Sequence, residues 1–312
     1  MTSGRIKQLA LAAMAAAWPV LAQAQDPAAG PADPHPWQLN MGQGVTPTSQ
    51  AAYDAHMIML VVCVVIGILV FGAMAIAIFR FRKSKGAVAD TSFTHSTKLE
   101  LIWTAIPVLI LIGLAFPATS GLLRMYDVRD AQMTVKITGY QWMWKYEYLG
   151  ENVAFTSRLA REHDELRQSG KTVTAADAPH YLLDVDNALV LPVGTKVRFV
   201  LTADDVIHSW WVPALGWKQD AVPGIVNEAW AKIDKPGIYR GQCAELCGKD
   251  HGFMPIVVKA VSQQEFAQWL AAEKAKRASA KPEAPAETPA PAPAATAAAT
   301  PSDPPAAVAQ AG

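Results

Sequence analysis

Two uninterrupted apolar runs dominate the first half of the chain, Met57 to Phe79 and Leu101 to Leu123, each of 23 residues without a charge. At 1.5 Å rise per residue such a run makes a helix of about 34 Å, long enough to cross a bilayer. The joining loop opens with Arg80, Arg82, Lys83 and Lys85. The positive-inside rule therefore puts this loop in the cytoplasm and the outer ends of a hairpin over 53–126 on the other side. Pro107 and Pro117 interrupt the second run. A membrane helix tolerates them where neighbours satisfy the freed carbonyls, which predicts a partner in the bilayer. A shorter apolar stretch, Leu9 to Leu21, follows Arg5 and Lys7 and ends at Ala22-Gln23-Ala24, the layout of a secretory signal peptide over 1–24. Residues 25–52 are rich in Pro, Gly and Ala and read as an extended segment.

From about residue 131 the pattern changes to short β-rich stretches, among them Met133–Tyr140, Tyr181–Leu191, Lys196–Ala203, Asn227–Ile233 and Pro255–Val261. Gly139, Pro192-Val193-Gly194, Pro223-Gly224 and Pro236-Gly237 punctuate them. Many short strands at this spacing predict an all-β sandwich or small barrel over 131–262, on the outer side of the membrane. Trp142, Trp144, Tyr146 and Tyr148 alternate, so they fall on one face of a strand. Ser262 and Glu265 form a capping-box pattern opening a short helix over 263–277. The Ala/Pro/Thr composition of 278–312 offers too little large apolar surface to offset ordering, so this tail is expected to be disordered.

Lys and Arg together number 27, as do Asp and Glu. This balance argues against nucleic acid as a partner, since phosphate binding needs a basic surface. Three cysteines do not make a disulfide framework. Cys63 lies within the first apolar run and reads as a small buried hydrophobe. Cys243 and Cys247 belong to the pattern C-x3-C-x3-H-x2-M, completed by His251 and Met254, and His208 lies upstream in Asp205-Val206-Ile207-His208. Thiolate, imidazole and thioether together select copper over magnesium or calcium. A mononuclear blue-copper site uses one Cys, two His and a weak Met; the extra thiolate here suits two coppers bridged by both sulfurs. Each copper would then take one histidine, with Met254 and a loop carbonyl in the weak positions. Such a site is an electron carrier. Three alternatives remain: a Cys243–Cys247 disulfide in an oxidising compartment, which leaves His251 and Met254 unexplained; zinc, for which Met is a poor ligand; and a thioredoxin-like copper chaperone, whose alternating helices the strand pattern lacks. No C-x2-C-H motif is present, so no heme is expected on this chain.

The stretches Leu99-Glu100-Leu101-Ile102-Trp103-Thr104, Gly139 to Tyr148, Asp204 to Trp210 and Gly241 to Pro255 carry a resemblance. Across Tyr53 to Val261 the chain resembles subunit II of the heme–copper cytochrome c oxidases. That resemblance implies a membrane-anchored all-β protein, a two-helix transmembrane hairpin followed by a cupredoxin-like Greek-key β-barrel. It further implies a binuclear copper A centre held by His208, Cys243, Cys247, His251, Met254 and the carbonyl of Glu245. The Glu245 side chain would share a Mg or Mn ion with subunit I, and Trp142 would receive electrons from cytochrome c. Glu147, Asp186, Asp204 and Asp205 match or adjoin the family's acidic docking positions, and Glu100 its proton-uptake mouth. Subunits I and III would be partners, in a bacterial inner membrane with the copper domain in the periplasm. Quinol-oxidase relatives lack the copper ligands, and nitrous oxide reductase is longer and soluble. The charged stretch Arg158 to Lys171 reads as an insertion relative to shorter relatives, without an assigned role.

Overall fold

The computed structural model describes residues 37–88, 91–92, 94–174 and 177–279. The expected signal peptide and most of the Ala/Pro tail lie outside them. Helix α1 (Pro47–Arg80) begins well before the apolar run, so the segment expected to be extended to residue 52 stops at Thr46. The reason is local: Pro47 occupies the first helical turn, and Thr46 and Ser49 cap each other's backbone N–H groups. After a short 3-10 turn at Lys83–Lys85, helix α2 (Thr97–Met125) starts on a Ser96 cap and contains both prolines. Both helices are long and apolar enough to cross a membrane, and none of their most apolar surface is buried within the chain. Cys63, expected to be buried, is exposed on α1. A helix apolar on all sides has no interior of its own, so lipid or a neighbouring subunit must cover this residue.

Among the described residues ten strands follow: β1 (Met133–Tyr140), β2 (Met143–Tyr148), β3 (Val153–Ser157), β4 (Leu189–Pro192), β5 (Lys196–Ala203), β6 (His208–Val212), β7 (Trp217–Ala221), β8 (Asn227–Lys232), β9 (Gly237–Cys243) and β10 (Pro255–Val261). They form two five-stranded sheets, ordered β3-β2-β1-β5-β8 and β4-β10-β9-β6-β7. β1 runs parallel to β5, and β4 parallel to β10; the other pairings are antiparallel. This is the cupredoxin-like arrangement. Alternation along β2 and β5 turns Trp144, Tyr146, Phe199 and Leu201 fully inward. Phe199, Trp210 and Trp217 stack between the sheets, with centroids 5.6 and 5.2 Å apart.

Two expectations change. Within Tyr181–Leu191 only the end pairs as β4, because His180 and Leu182 adopt left-handed backbone and break the strand into turns. Trp142 stands in the turn ahead of β2 and not on the strand, so it escapes the core that takes Trp144, Tyr146 and Tyr148. The charged stretch contains helix α3 (Arg161–Gln168) within the long β3–β4 connection. Helix α4 (Gln263–Ser279) opens on the expected capping box, with Ser262 N donating to Glu265 Oε2 at 2.9 Å and Glu265 N to Ser262 Oγ at 3.2 Å. It lays Trp269 on Tyr148 with ring centroids 5.2 Å apart.

The hairpin is clasped to the barrel. Thr46 and Thr48 hydroxyls each donate to Leu215 O at 2.8 Å, Val45 N donates to Ala214 O at 2.9 Å, and Trp230 Nε1 donates to Arg124 O at 3.1 Å. At Gly216 a Cβ would come within 2.2 Å of Ser49 Cα, so only glycine admits this approach.

Candidate metal centre

The C-x3-C-x3-H-x2-M segment is the connection from β9 to β10. Cys243 ends β9, a 3-10 turn carries His251–Phe253, and Met254 precedes β10. Strand pairing up to Pro255↔Gln242 brings the two ends of the loop together. His208 opens β6, and Trp210 of that strand pairs with Cys243. Neighbouring strands thus deliver a residue far away in sequence to the same rim.

Cys243 Sγ lies 3.9 Å from Cys247 Sγ and 4.0 Å from His208 Nδ1. Cys247 Sγ lies 3.6 Å from His251 Nδ1 and 3.5 Å from Met254 Sδ. The Glu245 carbonyl is 3.4 Å from Cys243 Sγ. The sulfurs are not bonded, since a disulfide would hold them about 2.05 Å apart. Metal–sulfur bonds of about 2.3 Å and metal–nitrogen bonds of about 2.0 Å allow a shared metal to join donors up to roughly 4.3–4.6 Å apart. Each adjacent pair in the series His208, Cys243, Cys247, His251 meets that limit. The histidines sit beside different sulfurs, and Met254 joins the Cys247 side while Glu245 O joins the Cys243 side. This donor set fits two soft metals bridged by two thiolates, one histidine each. Burial raises both thiols. For Cys243, hydrogen bonds from His208 and from the backbone at Ser209 and Glu245 outweigh burial and lower it below the ordinary thiol value. For Cys247, burial and the Cys243 charge push it well above that value.

Several residues frame the donors. His208 is fully buried and its Nε2 meets Asp205 Oδ1 at 2.9 Å, leaving Nδ1 toward the sulfur. Asp205 also accepts from Val206 N at 2.6 Å and Gln141 N at 2.7 Å. Burial raises its carboxyl, but these bonds prevail and its pKa is lowered. Gln141 Nε2 and Trp142 Nε1 donate to Cys247 O at 2.8 and 3.3 Å, and Trp144 Nε1 donates to Met254 O at 3.3 Å. Two glycines make room. A Cβ on Gly139 would sit 2.7 Å from His208 Cδ2, and one on Gly248, at φ +123°, would sit 2.9 Å from Trp142 Cζ2. The framing roles of Gln141, Trp144 and the two glycines escaped the sequence reading. A glycine inside β1 was the available signal, since a strand glycine often marks close approach.

The remaining expected residues fall as follows. The Glu245 side chain is exposed on the β9–β10 loop, beside exposed Leu246. Glu147 faces Lys136 and Lys145 at 3.4 and 3.3 Å. Asp186 Oδ1 accepts from Arg158 N at 2.8 Å. Asp204 is exposed and bonded by Tyr140. Glu100 lies in the first turn of α2, paired with His95 at 2.8 Å, at the opposite end of the hairpin from the metal donors.

Fold and donors together define a two-pass membrane protein bearing a cupredoxin-like barrel with a soft-ligand metal site. Residues 133–261 match the family described as cytochrome C oxidase subunit II, periplasmic domain, and residues 34–120 the corresponding transmembrane domain. The probable cytochrome c oxidase subunit 2 of Rickettsia bellii is 38% identical over 250 residues, covering 80% of this chain and 89% of that protein. Cytochrome c oxidase subunit 2 of Mycosarcoma maydis is 37% identical over 246 residues, covering 77% and 92%. The crystal structure of the periplasmic domain of subunit II of cytochrome oxidase from Bradyrhizobium japonicum is 43% identical, with a TM-score of 0.41, covering 48% of this chain and 98% of that one. The chain belongs to the cytochrome c oxidase subunit II family and is a subunit of that oxidoreductase.

Proposed function

We propose that this chain takes electrons from reduced cytochrome c at a binuclear copper A centre held by His208, Cys243, Glu245 O, Cys247, His251 and Met254. It passes them to the heme and the oxygen-reducing heme–copper site of subunit I, coupled to proton translocation. The observation that carries this reading is the unbroken series of soft donors, each within reach of a metal shared with the next. Copper bound there supplies reversible one-electron exchange. The protein's part is to hold the donors still: Asp205 fixes the ring of His208, Gln141 and Trp142 tie the loop at Cys247 O, and Trp144 ties it at Met254 O. A rigid donor set needs little rearrangement when charge changes.

Trp142 is half-buried against Cys247 and Gly248, with part of its ring toward solvent, and is the proposed electron-input residue. All four docking acids hold contacts within the chain: Glu147 with two lysines, Asp186 and Asp205 with backbone amides, and Asp205 also with His208. Asp204, exposed and bonded by the neutral Tyr140 hydroxyl, is the proposed principal charge of the dock. Exposed Glu245 is the proposed side-chain ligand of a Mg or Mn ion shared with subunit I. Glu100, at the end carrying Arg80, Arg82, Lys83 and Lys85, is the proposed mouth of a proton path. The same charges support a cytoplasmic loop and a periplasmic barrel in a bacterial inner membrane. Subunit III and lipid would cover further hairpin surface.

Stopped-flow reduction of the assembled oxidase by cytochrome c, with a parallel binding titration, tests the reading. Trp142→Ala should slow electron transfer within the complex and leave affinity intact. Asp204→Asn should weaken binding and flatten its ionic-strength dependence. An unchanged transfer rate in Trp142→Ala would reduce Trp142 to a packing residue.

A further inference from the structure

The outer flank of the ligand loop, Asp250 to Phe253, meets helix α3. Arg167, in the last turn of α3, is the point of contact. Its Nη1 donates to Asp250 Oδ1 at 3.4 Å, and its guanidinium carbon stands 4.1 Å from the Phe253 ring centroid. Asp250 directly precedes one metal donor, His251, and Phe253 directly precedes another, Met254. The guanidinium is itself aimed. Its Nε and Nη2 both donate to Asp164 Oδ1, at 3.0 and 2.6 Å, one turn earlier on the helix. The other oxygen of Asp164 accepts from Gln168 Nε2 at 2.6 Å.

Helix α3 is anchored to the barrel independently of the loop. Ala160 N donates to Asp184 O at 2.9 Å, and Asp184 Oδ1 accepts from Arg240 Nε, on β9, at 2.8 Å. His163 is buried edge-on to Tyr181, with ring centroids 5.9 Å apart. A continuous set of contacts thus runs from β9 through Asp184 and α3 to the far side of the loop that β9 itself feeds. An exposed ion pair on a helix would contribute almost nothing. Arg167 differs: its side chain is only 26% exposed, its donors are split between two carboxylates, and its flat face covers an aromatic ring. Arg161 gives the contrast on the same helix. It is 90% exposed and pairs only along the surface with Glu165.

Resting on the copper reading above, we propose that α3 braces the ligand loop and that Arg167 is a positioning residue, fixing the direction in which His251 and Met254 are presented. Inside the barrel the loop is held at Cys247 O and Met254 O. The brace supplies the restraint from outside, on the segment between those two points. Arginine suits the place, because lysine cannot fork between two carboxylates and stack on a ring at once.

The test uses the full-length, copper-loaded chain in detergent, read by EPR hyperfine pattern and by the rate of copper loss to a chelator. Arg167→Met should distort the hyperfine pattern and speed copper loss about tenfold, the lower end for residues that orient metal ligands. Arg167→Lys should restore part of both, and Arg161→Met should match the wild type. If Arg167→Met does not fold, Asp250→Ala removes the same contact from the loop side and should show the same change. A wild-type spectrum and wild-type copper loss in whichever of these two variants folds would overturn the brace. A wild-type chain without a binuclear signal would instead overturn the copper reading on which the brace depends.

Discussion

Phe71 and Phe116 on the hairpin are 69% and 74% exposed, whereas Phe199 and Trp210 in the barrel are fully buried. Both regions are rich in large apolar residues, and the difference lies in their order along the chain. The hairpin is apolar on every side, so neither helix can present a polar face to water; its backbone satisfies itself and its side chains need lipid or another subunit. The barrel alternates, so each strand splits into an inward apolar face and an outward polar one. The two regions therefore depend on different surroundings. The barrel's core is complete within the chain, while the hairpin's packing is left open to partners. The clasp at Thr46, Thr48 and Leu215 joins them without mixing their interiors.

The largest contrast should come from one substitution made in each region. Cys243→Ser removes a sulfur shared by both proposed metals and should abolish the binuclear centre, while Cys63→Ser should leave copper content unchanged. Metal analysis of the two purified chains measures this, and copper retained by Cys243→Ser would remove the bridging role.

Next is packing. Trp210→Ala should destabilise the barrel by about 3–5 kcal/mol, read as a shift in denaturant unfolding. Phe116→Ala should leave that transition in place, since Phe116 is exposed on α2 and, among the described residues, is not one of those packed against the barrel core. Equal shifts would mean that the two interiors are coupled after all.

Asp205→Asn separates a donor's orientation from surface charge. Copper affinity should fall by about 10–100-fold, whereas Glu100→Gln, at the other end of the hairpin, should leave copper affinity untouched and slow proton uptake. Competition against a chelator gives the first number. Affinity equal to wild type in Asp205→Asn would return Asp205 to the dock.

The smallest effect concerns α4, packed on the barrel. Glu265 has its pKa lowered by hydrogen bonds from the Ser262 hydroxyl and backbone N–H. A depressed carboxyl stabilises the fold fully above its unfolded value near 4.5, and that contribution is lost as pH falls through the folded value. Glu265→Gln should therefore flatten the barrel's stability profile at acid pH and leave neutral stability almost unchanged. An unaltered acid limb would show that the cap adds nothing.

How much of this was legible in the sequence follows the same division. The hairpin could be read outright, because its length and lack of charge are properties of contiguous residues. Its start could not, since the Thr46–Pro47–Ser49 cap extends α1 through polar turns that carry no apolar signal. The proposed metal donors were legible from residue type and spacing, even remote His208. The groups that hold them were not. Gln141 reaches Cys247 across 106 residues, Asp205 meets Gln141 across 64, and Arg167 meets Asp250 across 83. Such contacts exist only once the strands are in register. Asp205 shows the consequence: from sequence it is a surface acid, and in the fold its carboxylate is committed to His208 and two backbone amides.

In the proposed function the β9–β10 loop and His208 hold two coppers joined by two thiolates. Copper analysis and EPR of the full-length chain, loaded and partly oxidised, test it most directly. Two coppers per chain are expected, with a hyperfine pattern from one electron shared equally over both nuclei. A single copper per chain, with hyperfine structure from one nucleus, would contradict it.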